Sequence, residues 1–277
     1  MGNIYAITTG VGTIHNIFLP GTGWSAEFGT PIADALEEHF VTHMLDLPGI
    51  GRSKGLEGIV KLQDAAKWLH TYVELNQLQK VNVIGHSLGG IIGLAFAFYY
   101  PDKVNKLILL DIGYAKIERF PVNMMGNIGY FLPLINILHR FFGQKILGDN
   151  PPSTNQIKTE DYIQQTISRL GLEDTPFIRA AVQNQPTTSN EGISLLLAAY
   201  RADLPKLVKR LKVPCLVLFG NRNNEADKIR KLQSKNIDKL KKSGIKTVAL
   251  NGGHYAHITD EKAVNLMTLF LLNHFIE

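Results

Sequence analysis

The 277-residue chain is poor in cysteine, and its apolar residues never form a long uninterrupted run. A single cysteine, Cys215, excludes an intrachain disulfide, which suits a reducing compartment. No apolar stretch approaches the ~18 residues of a membrane-crossing helix. The N-terminus lacks the pattern of a secretory signal, and Ala6 stands where a myristoylation signal needs Ser or Thr. These absences lead us to expect a soluble cytoplasmic protein without a membrane span.

Signatures of metal, cofactor and nucleic-acid binding are also missing. The histidines are scattered and the glycine loops lack a phosphate-binding pattern, so we expect no metal and no cofactor. The net charge of +5 is concentrated in residues 228–246, which carry eight basic residues and one acidic residue. Apolar residues recur there at helical spacing. The segment therefore predicts the solvated face of an amphipathic helix rather than a nucleic-acid site.

Short apolar strands alternate with helical patterns over most of the chain. Strands are predicted at residues 4–8, 14–19, 41–45, 81–84, 106–110, 213–219 and 247–250. The helical patterns run over residues 31–40, 59–78, 90–100, 191–211 and 263–276. Such alternation requires crossover connections. We predict an α/β fold with a mostly parallel sheet of about seven strands, flanked by helices.

The alternation stops after Asp111, and the following residues look helical, irregular and rich in proline. We predict a core formed by residues 1–112 and 191–277, and a helical cap formed by residues 113–190. Within that cap, residues 130–138 are strongly apolar. They either pack as an ordinary helical core or line an apolar pocket, because an insertion at the carboxyl end of a strand lies over the site of such sheets.

The turn between the predicted strand 81–84 and the helix after it is the most informative part of the chain. It reads Gly85-His86-Ser87-Leu88-Gly89. A strand, a tight turn and a helix form a nucleophile elbow, in which a Cβ on either flanking glycine would collide with nearby backbone. We predict that Ser87 is a nucleophile and that the first amides of the helix point toward it.

A serine hydroxyl becomes a good nucleophile only when a base takes its proton. The last predicted strand is followed by Gly252-Gly253-His254-Tyr255-Ala256-His257, where the glycines permit a sharp turn that leaves an imidazole free. We predict His254 as the base, with a packed loop histidine as the alternative. His257, expected in the first turn of the final helix, is the second candidate. His86 is predicted to stack on neighbouring loops.

An oxyanion needs two backbone donors. The Leu88 amide is one candidate because it follows the nucleophile directly. Thr22 is the other, because its loop follows strand 14–19 and the flanking Gly21 and Gly23 keep the loop compact. The alternative for this loop is a plain turn.

Four segments together resemble the α/β-hydrolase superfamily, of the cap-bearing type found among esterases: Pro20-Gly21-Thr22-Gly23-Trp24-Ser25, Asp46-Leu47-Pro48-Gly49-Ile50-Gly51-Arg52-Ser53, Gly85-His86-Ser87-Leu88-Gly89-Gly90 and Gly253-His254-Tyr255-Ala256-His257-Ile258. The resemblance spans residues 14–277 in family order and spacing. It implies a nucleophile at Ser87, a base at His254 and oxyanion amides at Thr22 and Leu88. It implies little about the substrate, because the fold hosts many chemistries.

The chain departs from its relatives at the acid. Three residues after Gly220, where most relatives carry the catalytic aspartate, stands Asn223, which orients an imidazole but cannot stabilise an imidazolium. Asp111 is the first candidate because some members place the acid at that strand end. Glu225, Asp227 or no carboxylate at all are the alternatives. Relatives also usually place two antiparallel strands before the first oxyanion loop, but only thirteen residues precede Ile14, enough for one short strand, so we expect about seven strands rather than eight.

Three classes of function fit these residues. The first is a serine hydrolase that cleaves a carboxylic ester or similar acyl compound, with a small apolar acyl or ester molecule as its partner. The second uses the same serine and histidine on other bonds, as a carbon–carbon hydrolase, a lyase or a peracid-forming enzyme. The third is a catalytically weak ligand-binding or signalling module, because Asn223 replaces the usual aspartate. The oligomeric state is left open.

Overall fold

The computed structural model of the chain describes residues 3–112, 116–119, 121, 127–147, 157–223, 225 and 227–274. Seven strands form one sheet: β1 (Ala6–Thr9), β2 (Ile14–Leu19), β3 (Phe40–Leu45), β4 (Val81–His86), β5 (Val104–Leu110), β6 (Cys215–Gly220) and β7 (Lys246–Leu250). Their order is β1-β3-β2-β4-β5-β6-β7, and only β1 runs antiparallel to its neighbour. The predicted mostly parallel α/β sheet of about seven strands is confirmed.

The described helices cover both faces of this sheet and follow its strands. They are α1 (Thr30–Leu36), α2 (Leu62–Leu75), α3 (Leu88–Tyr99), α4 (Ile128–Phe142), α5 (Glu160–Leu170), α6 (Pro176–Gln183), α7 (Asn190–Arg201), α8 (Leu204–Lys209), α9 (Asp227–Lys242), α10 (Ala256–Thr259) and α11 (Lys262–Leu271). The predicted basic amphipathic helix is α9. None of the helices in the described part of the chain is long and apolar enough to cross a membrane.

Two apolar clusters, one on each face, hold the sheet between its helices. Side chains alternate between the faces along a strand, so Val83 of β4 belongs to one cluster and Ile84 to the other. Leu69 and Ile92 bring α2 and α3 to the first cluster. Each such side chain contributes about 1.5–3 kcal/mol when fully buried. Burial on both faces therefore fixes the register of the central strands, and with it the loops at their carboxyl ends.

The predicted single helix over residues 191–211 is wrong, because the structure divides it into α7 and α8. Ala202 is extended (φ −70°, ψ 141°), and the Asp203 carboxylate accepts a hydrogen bond from the amide of Lys206 at 3.3 Å. Pro205, in the first turn of α8, needs no intrahelical donor there. An N-cap and a proline thus start a second helix where the apolar periodicity continues.

The predicted cap falls partly outside the described residues. Its described part contains α4 to α6, and an isolated bridge pairs Ile50 of the core with Thr188. The apolar segment 130–138 lies in α4, where several of its large side chains are more than half exposed: Tyr130, Phe131, Leu134 and Ile137. An ordinary buried helical core is therefore the wrong description of these side chains. The division into core and cap stays a prediction.

Candidate functional site

Ser87 lies on a sharp turn between the end of β4 and the start of α3. Its backbone has φ 51° and ψ −117°, a conformation that costs a non-glycine residue about 1–3 kcal/mol. A Cβ on Gly85 would lie 2.6 Å from the Cα of Gly90, and one on Gly89 would overlap the carbonyl oxygen of Leu19. The predicted strand, turn and helix with two obligatory glycines are therefore present.

The carboxyl ends of four neighbouring strands gather the other predicted residues around this turn. β4, β5, β6 and β7 lie side by side and parallel. Ser87 follows β4 and donates its backbone N–H to the carbonyl of Leu110 at 3.3 Å. Asp111 follows β5, and His254 lies in the loop after β7. The sheet thus brings to one edge residues that are far apart in sequence.

Asp111 is the carboxylate in contact with His254. The Nδ1–H of His254 donates to Oδ2 of Asp111 at 2.7 Å, which leaves Nε2 of the ring free to accept a proton. The Asp111 side chain is only 3% exposed, whereas that of His254 is 32% exposed. Backbone bonds hold Asp111 as well, since its N–H donates to Leu218 at 2.7 Å and its Oδ1 accepts from Gly220 at 3.2 Å.

The other carboxylates and the asparagine occupy different positions. Asn223 is exposed, and its backbone N–H donates to Oδ1 of Asn221 at 3.3 Å. Glu225 accepts a hydrogen bond from Arg222 at 2.6 Å. Asp227 begins α9, and its side chain lies outside the described part of the structure.

The loop after β2 packs directly on the serine turn. A Cβ on Gly21 would lie 3.1 Å from the Cβ of Ser87, and the Pro20 carbonyl accepts the N–H of Gly89 at 3.0 Å. Within the described residues, the backbone N–H groups of Thr22 and Leu88 have no hydrogen-bond partner. Both predicted oxyanion donors are therefore available at the sheet edge that carries Ser87.

The two neighbouring histidines are buried and neutral. The Nε2–H of His86 donates to the carbonyl of His254 at 3.1 Å, and the His86 ring contacts the rings of His254, Tyr255 and His257. His86 thus packs against the loop after β7 as predicted, but its ring is tilted by 41° to 49° to these rings rather than stacked on them. Burial holds its pKa well below the ordinary value and lowers that of His257 to about 3. His257 lies in α10, not in the final helix as predicted.

The Ser87 hydroxyl and the His254 ring are not hydrogen-bonded to each other in the described structure. Such bonds are often long without substrate and tighten when one binds. The residue before Ser87 does contact His254, since the ring centroids of His86 and His254 lie 4.7 Å apart. Ser87 and His254 are both partly exposed to solvent.

Arg222 is the residue of this site that the sequence analysis missed. Its guanidinium donates to Oδ2 of Asp111 and, at 2.6 Å, to Oε1 of Glu225. A usable signal was present, since Arg222 is the only basic residue between β6 and α9.

No group of three or more His, Cys, Asp or Glu side chains that could hold a metal occurs among the residues described.

Known proteins match this chain over most of its length. The family model for the alpha/beta hydrolase fold matches residues 17–261. The pimeloyl-(acyl-carrier protein) methyl ester esterase of Citrobacter koseri is 36% identical over 236 residues, which are 79% of this chain and 80% of that protein. The protein of the same name from Salmonella newport is 27% identical over 226 residues, again 79% of this chain and 80% of that protein.

Solved structures share the fold at lower sequence identity. E-2-(acetamidomethylene)succinate hydrolase aligns with a TM-score of 0.70 and 17% identity, over 99% of this chain and 95% of its own. The enol-lactonase from Burkholderia xenovorans aligns with a TM-score of 0.66 and 19% identity, over 99% of this chain and 96% of its own. At these identities the likeness concerns the fold alone.

Proposed function

Since this chain belongs to the alpha/beta hydrolase fold family, we propose that it hydrolyses a carboxylic ester through an acyl-enzyme on Ser87. The 2.7 Å hydrogen bond between His254 and Asp111 is the observation that carries this proposal. It supplies an oriented imidazole at the sheet edge that also carries a serine in a strained turn.

In the first half of the reaction, Oγ of Ser87 attacks the ester carbonyl carbon while Nε2 of His254 takes the hydroxyl proton. The Asp111 carboxylate stabilises the resulting imidazolium, and the N–H groups of Leu88 and Thr22 bind the oxyanion. The bond to the alcohol oxygen then breaks, and the alcohol leaves with the proton from His254.

Water resolves the acyl-enzyme in the second half. It gives its proton to His254 as its oxygen bonds to the acyl carbon, and the carbon–oxygen bond to Ser87 then breaks. The serine recovers a proton from His254, and the acid is released. Ester and water are consumed, and acid and alcohol are formed.

The relatives suggest which ester to assay first. Both curated relatives are named for a methyl ester of a pimeloyl chain on an acyl-carrier protein. We propose methyl esters of apolar acyl chains as the substrate class, with short nitrophenyl esters as a general assay. Free and carrier-bound methyl esters should be compared, because the relatives' name concerns the bound form.

Labelling by a fluorophosphonate and turnover of a methyl ester test this proposal together. We expect labelling of the wild type at neutral pH, and loss of both labelling and turnover in Ser87→Ala, by at least about 10⁴-fold in kcat. Absence of labelling in the folded wild type would favour the ligand-binding module. Labelling with no ester turnover, but with cleavage of a carbon–carbon bond or elimination, would favour the second class of enzyme.

A further inference from the structure

Arg222 is held in place by the loop that follows β6. Its N–H donates to the carbonyl of Gly252 at 2.9 Å, which ties it to the loop carrying His254. Its own carbonyl accepts the N–H of Glu225 at 2.9 Å. The side chain is only 17% exposed and reaches Asp111 on one side and Glu225 on the other. Contacts with the segments that follow β5, β6 and β7 therefore hold both the backbone and the guanidinium of Arg222.

The backbone of Arg222 also has a positive φ, as do those of Ser87 and Asp111. These three have φ values of 55°, 51° and 54°, and they are three of the five described non-glycine residues with a positive φ. The other two, Gln77 and Asn273, lie just after helices α2 and α11. A positive φ at such residues persists where the surrounding structure enforces it, typically at functional sites.

The oxygen of Asp111 that faces His254 also accepts from Arg222. Oδ2 receives the Nδ1–H of His254 and the guanidinium of Arg222, while Oδ1 receives the N–H of Gly220. A carboxylate held at both oxygens cannot rotate away from the imidazole. Charge-assisted bonds to an arginine fork are stronger and better oriented than neutral ones.

We propose that Arg222 is a positioning residue for catalysis, with Glu225 as the counter-charge that keeps the cation from weakening the base. This inference rests on the proposed function, because it assumes that Asp111 orients His254 in turnover. An arginine beside the carboxylate fixes its orientation but disfavours a protonated imidazole nearby. Glu225, paired with Arg222 at 2.6 Å, offsets that charge.

The charges of Arg222 and Glu225 should shift the pH dependence of turnover in opposite directions. The titratable groups next to His254 are Asp111, His86, Tyr255 and His257. Arg222 and Glu225 lie behind Asp111, and Arg169 acts on Tyr255. His86 and His257 stay neutral at neutral pH because burial lowers the pKa of each. Burial raises the pKa of Tyr255, which stays neutral too. Removing Arg222 should therefore favour the imidazolium, and removing Glu225 should disfavour it.

The test compares Arg222→Met, Arg222→Lys and Glu225→Gln in the full-length protein, with a short nitrophenyl ester as substrate. For Arg222→Met we expect kcat to fall by about 10- to 100-fold, as for other partners that orient a functional imidazole. KM should stay unchanged, because Arg222 is not proposed to touch the substrate. The acidic limb of the pH–rate profile should move up by about one pH unit, and in Glu225→Gln it should move down. Arg222→Lys should keep more of the wild-type kcat than Arg222→Met does.

Arg179→Met is the matched control, because Arg179 of α6 also bridges two carboxylates, Asp174 at 2.6 Å and Glu160 at 2.5 Å. It should leave kcat and the pH profile unchanged. The inference is overturned if the acidic limb of the pH–rate profile moves in neither Arg222→Met nor Glu225→Gln, or if it moves in the same direction in both. Should Arg222→Met fail to fold, Glu225→Gln and Arg222→Lys still decide it. Full turnover in Asp111→Asn would instead refute the proposed catalytic acid. If Asp111→Asn loses turnover but Arg222→Met keeps the turnover of the wild type, only the role of Arg222 is refuted.

Discussion

Two arginine–carboxylate clusters lie at the carboxyl edge of the sheet, and they differ in what the buried aspartate faces. The β3 cluster consists of Asp46, Arg52 and Glu27, and Asp46 directly follows β3. The β5 cluster consists of Asp111, Arg222, Glu225 and His254, and Asp111 directly follows β5. In each, one arginine joins a buried aspartate to a more exposed glutamate.

All the hydrogen bonds of the Asp46 carboxylate in the described structure go to Arg52 and to loop backbone. Its Oδ1 accepts from the N–H of Ala26 at 2.7 Å, and its Oδ2 accepts from the N–H and Nε–H of Arg52 at 2.8 and 2.7 Å. None of these donors titrates near neutral pH. The β3 cluster therefore ties loops together, and its contribution should be to stability.

Asp111 instead presents one oxygen to a partly exposed imidazole. The same arrangement of arginine and aspartate thus ends in the imidazole that we propose as the base. We therefore expect a pair of this kind to stabilise the fold or to serve the proposed reaction according to what else its aspartate contacts, not according to its own geometry. The three predictions below test this difference.

The largest effect should come from Asp111→Asn, compared with Asp46→Asn. In Asp111→Asn, the ring loses the charge that stabilises its imidazolium, so turnover should fall by about 10³- to 10⁴-fold. In Asp46→Asn, turnover per folded molecule should stay within about twofold, while unfolding should become easier by about 1–3 kcal/mol because the charge-assisted hydrogen bonds of a buried carboxylate are lost. Steady-state kinetics and urea unfolding measure both. Equal losses of turnover would show that the two clusters are not different in kind.

Arg52→Met should have the next largest effect, and only on stability. It leaves the fully buried Asp46 carboxylate without its guanidinium donors, and breaking such a pair costs about 3 kcal/mol. The same change at Arg179, whose partner carboxylates Glu160 and Asp174 are both exposed, should cost less than about 1 kcal/mol. The free energy of unfolding in urea tests both values. A loss in Arg52→Met no larger than in Arg179→Met would contradict a structural role for the β3 cluster.

Local patterns were enough to predict most strands of the fold. The bounds of β2 agree with the prediction at both ends, since Pro20 and Gly21 stop the apolar run. The elbow was predictable for a similar reason, because Gly85 and Gly89 are required by contacts within one turn. The break between α7 and α8 was missed because apolar spacing continues across it.

The choice of carboxylate needed the tertiary structure. Asp111 and His254 are 143 residues apart in sequence, and the order of β5, β6 and β7 decides that they meet. The pairing of Arg222 with Asp111 depends on the same order and on a positive φ that no sequence pattern signals for an arginine. The order of the strands in the sheet determines which distant residues pair in this way. The glycines of the elbow are instead required by contacts with residues close to them in the turn.

The smallest effect should come from Glu27→Gln, which separates the outer ion pair of the β3 cluster from the inner one. The hydrogen bond from Arg52 holds the pKa of Glu27 at about 2, below its ordinary value of 4.5. The folded state therefore favours the ionised carboxylate. The stabilisation is fully present above pH 4.5 and is lost as the pH falls from 4.5 toward 2. Because the side chain is about half exposed, the loss in Glu27→Gln should stay below about 1 kcal/mol. Urea unfolding of both proteins should differ most at pH 6, differ less near pH 3 and converge at about pH 2. If the difference in the free energy of unfolding grows on acidification, the ionised carboxylate of Glu27 does not stabilise the folded protein.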